Sequence, residues 1–180
     1  MVKDATDGTD YWFPTNSFTS PIPFVVHDLQ QLSVKKAGSG SGTVQTSAPG
    51  GSFIDCGTAC TGQYDYLQET QVRAIPSPGS VFTGWSGSCT GTDPDCRVTM
   101  DQVQSVTATF TLAKYTLTVN RMSDRGTVTS SPAGIDCGPT CVTSFDYNTI
   151  VTLTARPLTA EDGFIGWSGA CSGTGTCRVT

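Results

Sequence analysis

Eight cysteines and a single histidine are the residues best suited to chemistry here, and their spacing says what kind. The cysteines form two matching sets: Cys56, Cys60, Cys89 and Cys96, then Cys137, Cys141, Cys171 and Cys177. Four thiols suit either two disulfides or one tetrahedral zinc site. Zinc sites favour Cys-x2-Cys knuckles, whereas each set here has Cys-x3-Cys followed by Cys-x6-Cys or Cys-x5-Cys. Disulfides are therefore the expectation, and each set allows three pairings. Local pairing is preferred: Cys56–Cys60, Cys89–Cys96, Cys137–Cys141 and Cys171–Cys177. Glycines such as Gly57, Gly91 and Gly173 let short loops close at low entropic cost. So many disulfides imply an oxidising compartment, outside the cell or on its surface. No metal ion and no cofactor is expected.

Catalytic chemistry finds less support. His27 is the one candidate for a triad base and has Asp28 beside it, but the Gly-x-Ser-x-Gly elbow is absent. Ser86 and Ser168, in two copies of Trp-Ser-Gly, read as turn residues. Glycoside hydrolysis needs two carboxylates facing a cleft. The only glutamates, Glu69 and Glu161, fall at unmatched positions in expected loops. Asp55 and Asp136, and Asp65 and Asp146, repeat with the scaffold and read as turn or cap residues. The run from Asp4 to Asp10 is oxygen-rich but lacks the Asp-x-Asp-x-Asp-Gly order of a calcium loop, so it reads as a solvated acidic turn. The expectation is a protein that is not an enzyme.

The elements that position these residues come in duplicate. Ile54-Asp55-Cys56-Gly57-Thr58-Ala59-Cys60 matches Ile135-Asp136-Cys137-Gly138-Pro139-Thr140-Cys141. Phe82-Thr83-Gly84-Trp85-Ser86-Gly87 matches Phe164-Ile165-Gly166-Trp167-Ser168-Gly169, Cys96-Arg97-Val98-Thr99 matches Cys177-Arg178-Val179-Thr180, and Gly42-Thr43-Val44 matches Gly126-Thr127-Val128. Tyr-Asp-Tyr at Tyr64 to Tyr66 returns as Phe-Asp-Tyr at Phe145 to Tyr147, and one aromatic of each pair should face inward. The unit is about 80 residues long, and the shifts differ slightly because insertions sit in loops.

Within each unit the pattern is that of strands. Val72 and Ala74, Val106, Ala108 and Phe110, and Val151, Leu153 and Ala155 each alternate with polar residues, as half-buried strands do. Leu32-Ser33-Val34 and Leu117-Thr118-Val119 share the pattern. Gly38-Ser39-Gly40-Ser41-Gly42 marks a hairpin turn. Only Met100-Asp101-Gln102-Val103 leaves room for a single helical turn, so the class is all-β. Trp85, Trp167, Phe82 and Phe164 are expected core aromatics, since small modules need such area.

These motifs resemble those of the bacterial extracellular repeat related to the listerial internalin B-repeats, with its Asp-Cys-Gly-x-x-Cys, Gly-Trp-Ser-Gly, Cys-x-Val-Thr-Met-Asp and Ser-Val-Thr-Ala-Thr-Phe segments. The resemblance covers about Gln31 to Thr180. It implies tandem small β-grasp-like modules, each with two disulfides, and carries over scaffold residues only. The expected organisation is an extended N-terminal arm at 1–30, a first module at 31–112 and a second at 113–180. The second stops at Thr180, before a counterpart of the closing segment Met100 to Phe110. A longer parent chain, a strand from a neighbouring subunit and an open edge are the three expectations for it.

Residues 1–30 carry Tyr11, Trp12, Phe13, Phe18 and Phe24 among Pro14, Pro21 and Pro23, which reads as extended chain. Tyr11, Trp12, Phe13, Phe24, Val25 and Val26 are candidate partner contacts, and Pro23-Phe24-Val25-Val26 could enter a neighbour's open edge. The start, Met1-Val2-Lys3-Asp4, lacks an apolar leader core, so the sequence reads as a mature chain or as part of a longer one.

Only 14% of residues are charged, and the net charge is −5 with a pI near 4.6. Such a chain lacks the clustered Lys and Arg that phosphate backbones require, and no apolar run of about 18 residues exists to span a membrane. The expected function is a non-enzymatic extracellular structural or interaction repeat protein of a bacterial surface, in an adhesin stalk or filament. Its partners would be further copies of itself, neighbouring domains, a carbohydrate or a host surface. The alternative is a carbohydrate- or protein-binding module appended to an exported enzyme. An exposed aromatic row would favour the alternative; buried Trp85 and Trp167 would favour the scaffold.

Overall fold

The structure, a computed structural model, describes residues 2–3, 10–11, 28–47, 53–57, 60–138 and 141–180. His27, the segment Trp12 to Val26 and the side chain of Tyr11 lie outside the described residues, as do the expectations that rest on them. The strands, in chain order, are β1 Val2–Lys3, β2 Asp10–Tyr11, β3 Leu29–Ala37, β4 Gly42–Ser47, β5 Thr61–Asp65, β6 Glu69–Pro76, β7 Ser80–Gly87, β8 Asp95–Thr99 and β9 Gln104–Leu112. They continue with β10 Lys114–Thr118, β11 Gly126–Ser131, β12 Asp136–Cys137, β13 Val142–Asp146, β14 Val151–Pro157 and β15 Cys177–Val179. Among the described residues there is no helix, and so none long and apolar enough to cross a membrane. Met100 to Val103 form bends rather than a helical turn, because Met100 is fully buried and its backbone is tied to the 67–68 turn.

The first unit packs two sheets face to face. One has the order β5-β3-β9-β7 and the other β4-β6-β8. Strand β9 is the keystone of the first sheet. It runs parallel to β3, with Val34 beside Val106, and antiparallel to β7, with Trp85 beside Ala108. Its alternation places Val106, Ala108 and Phe110 inward, where all three are buried with Leu32, Val34, Val44, Tyr64, Val72 and Trp85. The glycine-serine segment 38–42 is not the turn of a hairpin. Strands β3 and β4 belong to different sheets, and the segment is the corner between them. That corner packs against β9: Gly40 N–H donates to the Phe110 carbonyl at 3.0 Å, and a side chain at Gly42 would strike the Phe110 ring.

A polar bond is built into this core. The Thr46 and Tyr64 hydroxyls lie 2.8 Å apart, and Thr46 Oγ1 accepts from the Ile54 N–H at 2.9 Å. Tyr64 is fully buried, and burial raises its phenol above the ordinary value of 10.0, against a smaller lowering by the Thr46 bond. The unfolded chain therefore releases this proton at lower pH than the folded one. The contribution is complete below about pH 10 and falls as pH rises through the folded value. Alkaline titration of wild type and Tyr64→Phe, followed by urea melts, should show wild type losing stability more steeply above that pH. Equal slopes would remove the linkage.

The second unit repeats the first up to β15, except that it has no strand at the place of β7. Strands β11, β12, β14 and β15 form one sheet, and β10 and β13 form a two-stranded one. The register is copied: Gly126 pairs with Pro157 as Gly42 pairs with Pro76, and Leu153 with Cys177 as Val72 with Cys96. Its own core gathers Val119, Val128, Ile135, Cys137, Val151, Leu153 and Cys177. Among the described residues no strand takes the place that β9 occupies in the first unit. The physical consequences are local. Strand β3 has nine residues but β10 only five, and residues 164–169, equivalent to β7, are not a strand.

Candidate functional site

The cysteines lie where each knuckle meets its core. Cys56 is bonded to Cys60, Cys89 to Cys96, Cys137 to Cys141 and Cys171 to Cys177, with no free cysteine. Cys56, Cys89, Cys137 and Cys177 are buried, so one sulfur of each bond is also a core atom. The Cys60 carbonyl accepts from the Val34 N–H, and the Cys141 carbonyl from the Val119 N–H, both at 2.8 Å. The Cys56–Cys60 and Cys137–Cys141 bonds thus hold each knuckle beside the first strand of its own unit.

The two tryptophans are held alike and shielded differently. Trp85 Nε1 donates to the Asp93 carbonyl, and Trp167 Nε1 to the Gly175 carbonyl, each at 2.9 Å. Their backbone N–H groups donate to Gly91 and Gly173, each at 2.8 Å. Phe82 leans on Trp85 and Phe164 on Trp167, with ring centroids 5.1 and 5.0 Å apart. Trp85 is 6% exposed, while Trp167 is only half-buried, as are Phe82 and Phe164. The same asymmetry holds for Leu32 against Leu117 and Ala74 against Ala155. The second member of each pair has lost cover at the place of β9.

What remains there is a groove of about 640 Å³, lined by Leu117, Val119, Leu153, Phe164 and Trp167 and also by Arg121 and Arg156. Its rims include Met122, 94% exposed, and Ile165, 85% exposed. Along one wall Arg121 Nη1 donates to the Gly126 carbonyl at 2.8 Å, as Lys36 Nζ does to the Gly42 carbonyl at 3.1 Å. The rims were not singled out from sequence. The signal was present in the repeat, since Leu117, Phe164 and Trp167 match residues that pack β9 or its neighbours.

The residues weighed for catalysis are not brought together. Asp28 is exposed near Gln30. Glu69 is not in a loop: it opens β6, opposite Thr99, and pairs with Arg97 at 2.5 Å on the surface. Glu161 is exposed in a turn. Ser86 belongs to β7 rather than to a turn, because it pairs with Thr107 of β9; Ser168 lies outside any strand. Asp146 pairs with Lys114 at 2.7 Å, and Asp162 with Arg125 at 3.2 Å. Among the described residues no three His, Cys, Asp or Glu side chains cluster to hold a metal ion. The groove offers mixed apolar and polar contact beside the edge of β10.

The joint between the units is one residue long. Ala113 stands between β9 and β10; its N–H donates to the Gly79 carbonyl at 2.9 Å, and its carbonyl accepts from the Tyr147 N–H at 2.8 Å. The Tyr147 ring lies where a side chain at Gly79 would be, and stands 6.1 Å from the Tyr115 ring.

No curated protein and no solved structure matches this chain. Residues 32–114, which run from within β3 through β9 to the start of β10, match the family model of the divergent InlB B-repeat domain.

Proposed function

We propose that the protein is a non-enzymatic structural and interaction repeat of a bacterial surface, serving in an adhesin stalk or a filament. The observation that carries this reading is the joint. Two disulfide-stapled units are connected by a single residue whose backbone N–H and C=O are both bonded across the boundary. A flexible spacer would use a longer polar linker with free backbone groups. Local disulfides suit a protein that must stay folded outside the cell. The family match and the four disulfides are in keeping with an extracellular place.

Gly79 has φ +74 and accommodates the Tyr147 ring, so it is the residue on which the joint depends. Gly79→Val is expected to free the units from one another with each still folded. Small-angle scattering should show a broadened distance distribution, and residual dipolar couplings should cease to fit one common orientation. If wild type already needs two independent orientations, the stalk reading fails. Protease shaving of intact cells, followed by peptide mapping, tests the surface location.

One observation favours the binding-module alternative. Tyr115 is exposed and lies beside Tyr147, forming a small aromatic surface of the kind that sugars stack on. Binding on a glycan array that Tyr115→Ala abolishes would select that reading.

A further inference from the structure

We infer that the first unit is a mechanical clamp, loaded in shear whenever the chain is under tension. The inference rests on the stalk reading and adds how such a stalk carries force. Tension along the chain enters this unit at Asp28, just ahead of β3, and leaves it at Ala113, just behind β9. Those two strands are direct neighbours and run parallel, from Leu32 beside Gln104 to Ala37 beside Thr109. The pull on Asp28 draws β3 toward its N-terminal end. The pull on Ala113 draws β9 toward its C-terminal end. Parallel neighbours drawn this way must slide past one another, so the main-chain bonds between them carry the load together. In an antiparallel pair both load points would lie at one end, and the bonds would open one at a time.

Place in the sheet protects this line of bonds. In the order β5-β3-β9-β7 the pair is central, and β5 and β7 are the edges. Water solvates an edge strand directly but must displace β5 or β7 to reach the bonds between β3 and β9. The inner side chains along the pair, Leu32, Val34, Val106, Ala108 and Phe110, are all buried. Sliding β9 would also draw Phe110 from beneath the 38–42 corner, where its carbonyl accepts from the Gly40 N–H at 3.0 Å.

The load points are themselves anchored. The Asp28 carbonyl accepts from the Tyr66 N–H at 2.8 Å, and Ala113 is bonded through both its backbone groups, to Gly79 and to Tyr147. Force therefore arrives along the strands and does not peel their ends. The disulfides stand outside this path, since Cys56–Cys60 and Cys89–Cys96 do not join β3 to β9. The clamp is noncovalent and gives way with both bonds of the unit intact.

The test pulls the oxidised 180-residue protein between DNA handles in optical tweezers, with the handles clicked onto unnatural amino acids at exposed positions. Handles at Asp28 and Lys114 load the two strands in shear; handles at Asp28 and Val103 part the starts of the same two strands and unzip them. At one loading rate the shear direction should need about twofold or more the force. It should yield in a single step of about 200 Å. Phe110→Leu should lower the shear force and leave the first unzipping force unchanged, because Phe110 lies at the far end of β9 from Val103. Equal forces in the two directions, a lower force in shear, a run of small steps in shear, or an equal effect of Phe110→Leu on both would each overturn the clamp. None of these would touch the stalk reading, which stands or falls on the scattering experiment.

Discussion

Phe110→Ala should unfold the first unit and leave the second folded. Phe110 is 1% exposed, packs edge-on against Phe82 with centroids 5.7 Å apart, and seats on Gly42. Removing a buried phenyl costs about 3–5 kcal/mol, since the cavity collapses only in part. A unit of about 80 residues has total stability near the lower end of about 5–15 kcal/mol. The loss therefore takes most of the margin. Phe110 also joins three parts at once, through its carbonyl to Gly40, its ring to the 38–42 corner, and its strand to β3 and β7. Its loss should be felt as a cooperative event and not as local loosening. Calorimetry should show one of two transitions lost or lowered by well over about 10 °C. Phe110→Leu keeps most of the volume and should cost clearly less. A shift of only a degree or two for the alanine variant would mean that β9 is not the keystone.

The alternation Val106, Ala108, Phe110 was legible in the sequence as an inward-facing strand, and so was the duplication of the cysteine and tryptophan motifs. The all-β class followed from the lack of any sustained helical period. Partner choice between strands was not legible. The Gly-Ser segment after β3 reads like a hairpin because glycine and serine mark any sharp reversal. Yet β3 takes its neighbours from β5 and β9, the latter about 70 residues further along the chain. Such long-range pairing is decided by which apolar faces meet, and a local window does not contain that information. Glu69 is a similar case. It was expected in a loop, but it stands on the outer face of β6 opposite Thr99 and beside Arg97, where a carboxylate is solvated and paired. The tryptophans show the other limit. Trp85 and Trp167 sit in the same motif with the same indole hydrogen bond, so sequence alone makes them alike. Their different exposure depends on whether a distant strand covers them.

Reduction of the four disulfides should unfold both units, the second before the first. The bonds close loops with separations of 4 and 7 residues in the first unit and 4 and 6 in the second. Loop entropy assigns about 2 kcal/mol to each of the shortest and about 2.5 kcal/mol to the longer ones. Each unit thus owes about 4–5 kcal/mol to its two bonds, comparable to its whole stability. The order of loss follows from burial. In the first unit Leu32, Tyr64 and Trp85 are buried under β9; their counterparts Leu117, Phe145 and Trp167 are half-buried. Less apolar surface is withdrawn from water in the second unit, so it has less to set against the lost crosslinks. A dithiothreitol series followed by hydrogen exchange should show 114–118, 142–146 and 151–157 exchanging freely at concentrations where β3, β6 and β9 remain protected. The same order should appear on mild heating of the oxidised protein. Simultaneous loss of both units, or loss of the first before the second, would show that β9 does not account for the difference between them.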